Sequence, residues 1–420
     1  MSEWKEVKLG DIIDLVIDYR GKTPKKLGGD WSSSGYRALS AKNIKTGQIV
    51  QKESIRYVDE SLYKRWMQEE VKRGDILITS EAPFGQIYLW DSDEKIVLSQ
   101  RLFDVRIRKE HNSTFVYYQM QTRNFQSELD GRTTGTTVVG LRQPELLKCH
   151  ITIPDINTQN QISGILSSLD AKIETNNKLN EKLEEMAQAI FKSWFVDFEP
   201  FKDKPFHDTE LGMIPEGWEV KRLCDIVDII GGYSYKGNEL KESTTAMCTI
   251  KNFERNGGFK IDGYKEIIPS DKLKESQELS LFDVVVAHTD LTQNAEVIGN
   301  PAIILSKSNY DRIIFSMDLT KVISKNMNVS KSLLYCILRN KRFKNHALGY
   351  VNGTTVLHMS KKAVPDYMLA FPKDSVILAS LSKCFDSIFG RMHEIYEEND
   401  RLASLRDTLL PRLMSGELIV

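Results

Sequence analysis

The sequence predicts an α+β protein built from two copies of one β-rich domain, each followed by a long helix, with the two helices paired as an antiparallel coiled coil. Two observations predict this fold class. The 420-residue chain repeats itself at offsets of 208 to 219 residues, and each copy ends in a heptad pattern of apolar side chains. A chain of this length is also ample for two domains of about 150 residues plus helical elements.

The repeat is visible from the start of each domain. Residues 4–12 (WKEVKLGDI) are echoed by residues 218–226 (WEVKRLCDI) at an offset of 214. Each copy also has a glycine-bearing loop, a final strand and one clear helix, which we place at residues 115–127 and 331–346. One duplicated fold is the economical explanation.

Apolar residues in the region after each domain alternate in steps of four and three, the spacing of a coiled-coil seam. In the first helix these positions are Ile162, Leu166, Leu169, Ile173, Asn176, Asn180, Leu183, Ala187, Ile190 and Trp194. The matching positions, 219 residues later, are Leu381, Phe385, Ile388, Met392, Ile395, Asn399, Leu402, Arg406, Leu409 and Leu413.

A single helix of this length with an exposed apolar seam needs a partner, and the only stripe of equal length in the chain is its own repeat. Because a folded domain lies between the two helices, we predict antiparallel pairing, with the two domains related by a pseudo-twofold axis. The alternative is that each helix packs on its own domain. Asn180 and Asn399 occupy matching core positions, where a buried asparagine fixes register and partner number; a locally hydrated seam is the alternative.

These patterns divide the chain into five segments. They are a first domain (1–158), a central helix (159–196), a linker (197–212), a second domain (213–374) and a C-terminal helix (375–416). The linker begins where two prolines, Pro200 and Pro205, follow the end of the first heptad pattern.

Composition sets wide limits on function. The 57 basic and 58 acidic residues give a net charge of −1, so no global positive field indicates a nucleic-acid partner, although phosphate contacts need only a locally basic face. The five cysteines are scattered without metal-ligand spacing, which predicts a reduced intracellular chain with no metal site. With no apolar export segment or membrane span in the sequence, we expect a cytoplasmic protein with no membrane partner.

The common catalytic motifs are also absent from the sequence. Residues 21–23 (GKT) resemble the tail of a phosphate-binding loop, but Val16 stands at the position of the required upstream glycine and Pro24 follows, so a turn is favoured. There is no dinucleotide-binding fingerprint, nucleophile elbow, zinc-protease motif or amino-methyltransferase motif. We predict no catalytic residues and no cofactor bound by this chain.

Several polar side chains are candidates for contact with DNA. Small hydroxyl residues on a glycine-bearing loop let backbone and side chains approach phosphates or base edges, although a turn leading into a strand is the alternative. These loop candidates are Thr136, Thr137, Thr354 and Thr355, with Arg132 and Asn352 beside them. The densest basic stretch offers Arg339, Lys341, Arg342 and Lys344 for phosphates; a solvated helix end is the alternative.

Comparison of the two copies adds further candidates. Apolar and glycine anchors agree between the copies, whereas polar positions differ, as expected for one scaffold with two readouts or for surface drift. Ser80 aligns with His288, Gln100 with Met317, and Arg101 with Asp318. The candidates from this comparison are Lys42, Asn43, Ser80, Gln100, Arg101, Lys251, Asn252 and His288.

The duplicated architecture resembles the specificity subunit of type I restriction-modification enzymes over nearly the whole chain. Two segments carry the resemblance most specifically, residues 183–195 (LEEMAQAIFKSWF) and 409–418 (LLPRLMSGEL). Weaker support comes from residues 9–12 (LGDI), 21–24 (GKTP), 74–77 (GDIL), 135–137 and 353–355 (both GTT), and 151–154 (ITIP).

The resemblance implies two target recognition domains that each read a short half-site of double-stranded DNA and are separated by spacer helices. It also implies assembly with two modification subunits, which bind S-adenosylmethionine and methylate adenine, and with restriction subunits that translocate and cleave. S-adenosylmethionine, Mg²⁺ and ATP are therefore expected on partner subunits. The alternative from another class is a non-catalytic interaction scaffold with two ligand-binding β-rich domains; a self-sufficient methyltransferase would need a cofactor motif.

Overall fold

A computed structural model of the chain describes residues 4–133, 140–290, 294–354 and 356–420. The chain forms two compact units. Unit 1 comprises Met1–Lys172 and Leu402–Val420, and unit 2 comprises Ile173–Arg401. None of the helices in these described ranges is both long and apolar enough to cross a membrane.

Unit 1 is built mainly from short strands. The strands are β1 (Lys5–Lys8), β2 (Ile13–Asp18), β3 (Tyr36–Leu39), β4 (Ile44–Lys45), β5 (Gln48–Ile49), β6 (Arg56–Val58), β7 (Ile76–Thr79), β8 (Ile87–Leu89), β9 (Ile96–Leu98), β10 (Leu102–Ile107) and β11 (His150–Ile153). The helices are α1 (Leu9–Ile12), α2 (Glu60–Trp66), α3 (Ser113–Gln119), α4 (Arg123–Gly131), α5 (Gln143–Leu146) and the first part of α6 (Ile156–Phe195).

Unit 2 follows the same plan. Its strands are β12 (Phe206–His207), β13 (Ile214–Pro215), β14 (Trp218–Arg222), β15 (Val227–Gly231), β16 (Thr245–Cys248), β17 (Lys265–Glu266), β18 (Glu278–Leu279), β19 (Val284–Ala287), β20 (Thr289–Asp290), β21 (Pro301–Ile303), β22 (Arg312–Phe315), β23 (Leu319–Ser324), β24 (Val351–Asn352), β25 (Leu357–Met359) and β26 (Met368–Pro372). Its helices are α7 (Lys331–Arg339), α8 (Lys341–Leu348), α9 (Ala363–Asp366) and most of α10 (Ser375–Met414).

The sheets of the two units have the same topology, which confirms the duplication. The antiparallel order β2-β10-β7-β8 in unit 1 recurs as β15-β23-β19-β21 in unit 2. The pair β1-β11 recurs as β14-β26, and the parallel pair of β3 with β9 recurs as β16 with β22. The central strands β7 and β19 are buried along their whole length, as their apolar, largely β-branched sequences ILIT and VVVA favour.

The single helix predicted in each domain is in fact two helices, which corrects the sequence prediction. Helices α3 and α4 are separated at Thr122, whose hydroxyl accepts the Phe125 N–H. The equivalent Asn340 separates α7 from α8 and accepts the Phe343 N–H at 2.9 Å. A side chain that caps the next helix in this way starts a new helix and ends the continuous pattern.

The two long helices are in contact in each unit, as predicted. In unit 1, the Arg406 guanidinium donates to Asp170 at 2.7 Å, and Leu413 shares a core cluster with Ile162. In unit 2, the Asn176 amide donates to Asn399 at 2.9 Å. In unit 1, residue numbers rise along α6 from Ile162 to Asp170 as they fall along α10 from Leu413 to Arg406, so the pairing is antiparallel. The predicted fold class is confirmed.

The end of each long helix joins a domain core. In unit 1, Leu413 and Met414 of α10 are buried among apolar residues of β1, β11 and α3. In unit 2, Phe191 and Phe195 of α6 are stacked at 4.8 Å and belong to the core cluster that also contains Trp218. Burial of such side chains contributes about 1.5–3 kcal/mol each.

Candidate nucleic-acid interface

Four connections meet at one end of the β2-β10-β7-β8 sheet in unit 1, and we call this region the loop edge of unit 1. It comprises residues 19–22, 80–86, 99–101 and 140–141. The Ser80 N–H donates to the Arg101 carbonyl at 2.8 Å, and the Leu141 N–H donates to the Ser80 carbonyl at 2.9 Å. Arg20 then donates to the Leu141 carbonyl at 3.1 Å, so the four segments are tied into one surface.

The loop edge of unit 2 is built from the corresponding connections, residues 232–236, 288–300, 316–318 and 350–359, as far as the structure describes them. The His288 N–H donates to the Asp318 carbonyl at 2.7 Å, and the Met359 N–H donates to the His288 carbonyl at 2.8 Å. These two bonds repeat those made by Ser80 in unit 1. The Met317 N–H also donates to the Tyr233 carbonyl at 2.9 Å.

Strand register pairs the same positions that the sequence comparison pairs. Leu102 lies opposite Thr79 in unit 1, and Leu319 lies opposite Ala287 in unit 2. The residues just outside these strands are therefore equivalent in space as well as in sequence, namely Ser80 with His288, Gln100 with Met317, and Arg101 with Asp318.

The buried members of this set hold the loops in place. Ser80 is 3% exposed and His288 is 8% exposed. The His288 Nδ1 atom lies 3.1 Å from the Met359 carbonyl oxygen, and burial lowers the pKa of this imidazole, which favours its neutral form. Its Nε2 atom is buried and has no hydrogen-bond partner among the described residues. Both residues thus connect the sheet to the neighbouring loop.

The exposed members lie in the turns that precede β10 and β23. Gln100 is exposed, and the side chain of Arg101 is half exposed and lies 2.9 Å from Glu81. Met317 is 55% exposed, while Asp318 is partly buried and accepts the Thr289 hydroxyl at 3.0 Å. The two loop edges therefore present different side chains at equivalent positions.

In each of the two lysine-asparagine pairs, the asparagine is buried and shapes its turn, whereas the lysine is exposed. Asn43 and Asn252 are 1% and 0% exposed, and each side-chain oxygen accepts a backbone N–H from the start of its own turn, at 3.1 and 2.9 Å. Their amides are therefore committed to shaping the turns. Lys42 and Lys251 are exposed, and the turn that carries Lys42 is bound to the loop edge of unit 1 because the Ala41 N–H donates to the Gln100 carbonyl at 3.1 Å.

The candidates in the glycine-bearing loops are only partly described. Thr136, Thr137 and Thr355 lie outside the described residues. Asn352 and Thr354 are exposed in the β24–β25 hairpin, within the loop edge of unit 2. Gly353, between them, has φ +122°, and a Cβ there would lie 2.2 Å from the Val356 carbonyl oxygen, so only glycine fits this turn.

Arg132 is engaged away from the loop edge of unit 1. Its guanidinium lies 2.7 Å from Glu128 of α4 and 3.8 Å from Glu145 of α5. The hydrogen bond to Glu128 raises the pKa of Arg132 further above its usual range. Its contacts stabilise the packing of α4 and α5.

The basic stretch of unit 2 separates into two pairs. Arg339 donates to the Gly257 carbonyl at 3.2 Å, and Lys344 donates to the carbonyls of Ala295, Glu296 and Ile298 at 3.0, 3.1 and 2.6 Å. Burial lowers the pKa of Lys344 to about 8. Lys344 therefore shapes the loop edge of unit 2, whereas Lys341 and Arg342 are exposed and available to a phosphate.

The contacts predicted from sequence leave out several residues of the loop edges, including Glu81, Thr289, Met317 and Asp318. Glu81 and Thr289 directly follow the aligned pair of Ser80 and His288, so their position in the repeat was a usable signal. Met317 was aligned with Gln100 but has no polar group, and its exposure is visible only in the structure.

Comparisons with known proteins agree with this architecture. Residues 1–185 match the sequence model of the type I restriction modification DNA specificity domain. The full chain is 25% identical to the type I restriction enzyme MjaIX specificity subunit of Methanocaldococcus jannaschii and covers 94% of it. It is also 25% identical to the type I restriction enzyme HindI specificity subunit of Haemophilus influenzae, all of which is covered.

A solved structure shares the fold. The crystal structure of the type I restriction-modification system S subunit from M. genitalium has a TM-score of 0.54 at 14% identity, with 98% of this chain and 96% of that chain covered. The chain therefore resembles the specificity subunits of type I restriction-modification enzymes along its whole length, as the sequence predicts, and its residues 1–185 match the DNA specificity domain of that family.

Proposed function

We propose that the chain recognises double-stranded DNA as the specificity subunit of a type I restriction-modification complex and reads a bipartite, asymmetric site. Each unit reads one half-site through its loop edge. The observation that carries this proposal is the pair of loop edges, which have equivalent backbone hydrogen bonds but different exposed side chains. An asymmetric site has two different half-sites, so it requires two domains whose exposed side chains differ in their donors, acceptors and apolar groups.

The loop edges have the physical properties of base-reading surfaces. Sequence is read by side-chain donors, acceptors and apolar groups that are held rigidly against base edges. In each unit, backbone bonds from Ser80 or His288 lock the turn and the neighbouring loop together. Exposed cations next to them, such as Lys42 in unit 1, supply phosphate contacts that position the domain without reading sequence.

The long helices act as the ruler between the half-sites. Each is 40 residues long, which corresponds to about 60 Å at 1.5 Å per residue. Interhelical contacts such as Asn176 with Asn399 favour a single register, and a fixed register gives a fixed gap between the two bound segments. Major-groove faces of DNA repeat about every 34–36 Å, so a rod of this length allows unread bases between the half-sites.

Catalysis belongs to partner subunits under this proposal. Two modification subunits would bind S-adenosylmethionine and methylate adenine, and restriction subunits would use ATP and Mg²⁺. This chain is non-catalytic, and it selects the site and docks the other subunits. The support is the resemblance of its whole length to specificity subunits.

Sequencing the methylated bases of the source strain with and without this gene tests the proposal. We expect one bipartite adenine-methylation motif to disappear when the gene is removed. The purified complex should also bind DNA with a steep salt dependence, because 6 to 10 phosphate contacts lose about 10³- to 10⁵-fold in affinity between 50 and 200 mM salt. An unchanged set of methylated motifs and salt-independent binding would favour the interaction scaffold instead.

A further inference from the structure

We propose that Gln100 and Met317 are the residues at which the two loop edges select different bases. Gln100 reads an adenine in the half-site of unit 1, and Met317 contacts the methyl group of a thymine in the half-site of unit 2. This inference rests on the proposed function and names specificity-determining residues within it.

The turns at these two positions share one backbone hydrogen bond. Gln100 and Met317 are the first residues of the turns that lead into β10 and β23. In each case, the carbonyl of the following residue accepts the N–H of the residue after β7 or β19, at 2.8 Å in unit 1 and 2.7 Å in unit 2. The shared bond holds both turns at the same end of the sheet, and their exposed side chains differ in chemistry.

The second residue of each turn is tied back to the protein. Arg101 lies 2.9 Å from Glu81, and Asp318 accepts the Thr289 hydroxyl at 3.0 Å. Glu81 and Thr289 are equivalent, because each follows the residue that accepts a hydrogen bond from the neighbouring loop. The tethered residue is a cation in unit 1 and an anion in unit 2, but the tether is kept, so we assign Arg101 and Asp318 a positioning role.

The backbone of unit 1 carries strain at this turn. Arg101 has φ +62°, in the left-handed region that non-glycine residues seldom adopt. Such a conformation is strained and persists only where the surroundings hold it. Here the Ser80 N–H and the Glu81 carboxylate hold Arg101, and Gln100 is left as the exposed residue of the turn.

Gln100 has the chemistry needed to read adenine. Its backbone carbonyl accepts the Ala41 N–H at 3.1 Å, but its side-chain amide makes no hydrogen bond to any residue that the structure describes. In the major groove, the NH₂ group of a glutamine amide can donate to N7 of adenine, and the amide oxygen can accept from the N6 amino group. A free amide on a fixed turn is therefore suited to this contact.

Met317 has the opposite chemistry at the equivalent position. It is 55% exposed, and its backbone N–H is fixed by the Tyr233 carbonyl at 2.9 Å. An apolar side chain at this point can neither donate nor accept strongly, but it can cover the C5-methyl group that marks thymine in the major groove. The flexible thioether also adapts to an irregular surface.

Reciprocal substitutions test the inference. Gln100→Met and Met317→Gln are made in the complete complex, and the methylated motifs are determined by sequencing. We expect Q100M to change one position of one half-site and M317Q to change one position of the other, each with a drop of about 10- to 100-fold in methylation at the original site. The gap between the half-sites should stay the same.

The matched controls are the same two side-chain exchanges made outside the loop edges. Gln161→Met replaces an exposed glutamine on α6 within unit 1, and Met327→Gln replaces a methionine that is 95% exposed in the loop after β23. Neither residue lies on a loop edge, so both variants should keep the wild-type motif. A motif change in either control would count against a specific role for the turns.

The outcomes separate this inference from the proposed function. If the wild-type complex directs no bipartite methylation, the proposed function fails. If the wild type does so and both reciprocal variants keep both half-sites, only the present inference is overturned. If a variant methylates nothing, its binding to duplexes with each base at each half-site position decides, because an altered preference at one position supports the inference and a uniform loss contradicts it.

Discussion

The two units differ most sharply at a buried charge on their central strands. Asp104 of β10 lies opposite Leu77, and Lys321 of β23 lies opposite the equivalent Val285. In unit 2, Lys321 forms a 2.6 Å ion pair with Asp283. In unit 1, the same position holds a carboxyl group, which is 0% exposed and whose oxygens have no hydrogen-bond donor among the described residues.

The environment of Asp104 favours the protonated acid. Burial raises its pKa well above the usual 3.8, and the negative charge of the neighbouring Asp75 raises it further, while the positive charge of Arg106 lowers it. Asp75 is itself paired with Arg106 at 2.7 Å. The neighbour of Asp104 is thus a carboxylate that is already paired, whereas burial of Asp283 in unit 2 is outweighed by Lys321 and Lys331, which lower its pKa.

We predict that unit 1 loses stability as the pH rises. Above about pH 4 the unfolded chain gives up the Asp104 proton while the folded chain keeps it, so the free energy of unfolding falls by roughly 1 kcal/mol per pH unit until the folded pKa is reached. Asp104→Asn removes this dependence. The stability difference between D104N and wild type should therefore favour D104N more at pH 8 than at pH 5. Thermal unfolding measures this difference, and hydrogen exchange localises it to unit 1.

Asp283→Asn is the matched control in unit 2, and its effect should have the opposite sign. Because the folded pKa of Asp283 is lowered, its contribution to stability is present above the usual pKa and is lost as the pH falls through the folded value. D283N should therefore destabilise unit 2 at neutral pH, with the difference shrinking in acid. A D104N effect that is constant across pH would contradict the assignment of a protonated Asp104 in the folded state.

At the residue scale, the sequence identified equivalent positions but not their surroundings. Aligning the copies paired Ser80 with His288 and Gln100 with Met317 correctly, because the anchors on either side are apolar and repeat. It also offered Asn43 as a contact, although this side chain is 1% exposed and caps its turn. An asparagine suits either role, and only burial distinguishes them.

At the scale of elements, the heptad pattern predicted both long helices and their antiparallel contact, but not which asparagines meet. Asn180 and Asn399 occupy the same position counted from the start of each seam. In an antiparallel pair, equal positions along the two helices are not opposite one another. Asn399 instead accepts from Asn176 and donates to Asn177, both at 2.9 Å, while the buried Asn180 amide has no partner among the described residues.

Asn180 and Asn399 should therefore respond in opposite directions to substitution. Asn180→Leu removes an unsatisfied buried amide and adds apolar surface, so it should raise the free energy of unfolding by about 1–3 kcal/mol. Asn399→Leu leaves Asn177 without its donor and Asn176 without one of its two acceptors, so it should lower the free energy of unfolding by a similar amount. Denaturant unfolding of both variants measures the contrast, and effects of equal sign would contradict the assignment.

The heptad pattern does not predict all the contacts at the end of α6. Ala187 and Trp194 lie on the predicted seam, whereas Phe191 and Phe195 lie outside it and widen the apolar stripe. These two rings belong to the core of unit 2. A stripe that broadens beyond the narrow coiled-coil positions indicates packing against more than one partner, and this signal was present in the sequence.

At the scale of the whole molecule, the duplication could be predicted from the sequence because apolar and glycine residues, which the fold constrains, recur at matching positions of the two copies. The sequence does not indicate which compact unit each part of the long helices joins. Unit 1 takes the last 19 residues, Leu402–Val420, and unit 2 takes α6 from Ile173 onward. Under the proposed function, each reader is therefore completed by a helix that also belongs to the ruler, so changes in helix length should act on spacing without altering the reading surfaces.

Lengthening the ruler tests this relation. Duplicating residues 172–178 in α6 and 391–397 in α10 adds one heptad to each helix at facing positions and keeps the seam in frame. Each heptad adds about 10 Å, close to three base pairs, so the unread gap should grow by about three base pairs while both half-sites are kept. Sequencing of the methylated motif measures this gap directly.

A series of one, two and three added heptads gives a sharper result, because DNA twists as it lengthens. One added heptad shifts the second half-site by about three base pairs, or roughly a third of a helical turn, which should weaken binding. Three heptads add about 31 Å, near the 34–36 Å repeat, and should restore affinity at a gap longer by nine or ten base pairs.

A flexible insertion of the same length after the exposed Glu210, between β12 and β13, is the control. It leaves the helices unchanged and should leave the motif unchanged. A gap that stays constant as the helices lengthen would show that the ruler lies elsewhere, whereas a gap that grows with affinity rising and falling once per DNA turn would identify the helix pair as the element that sets it.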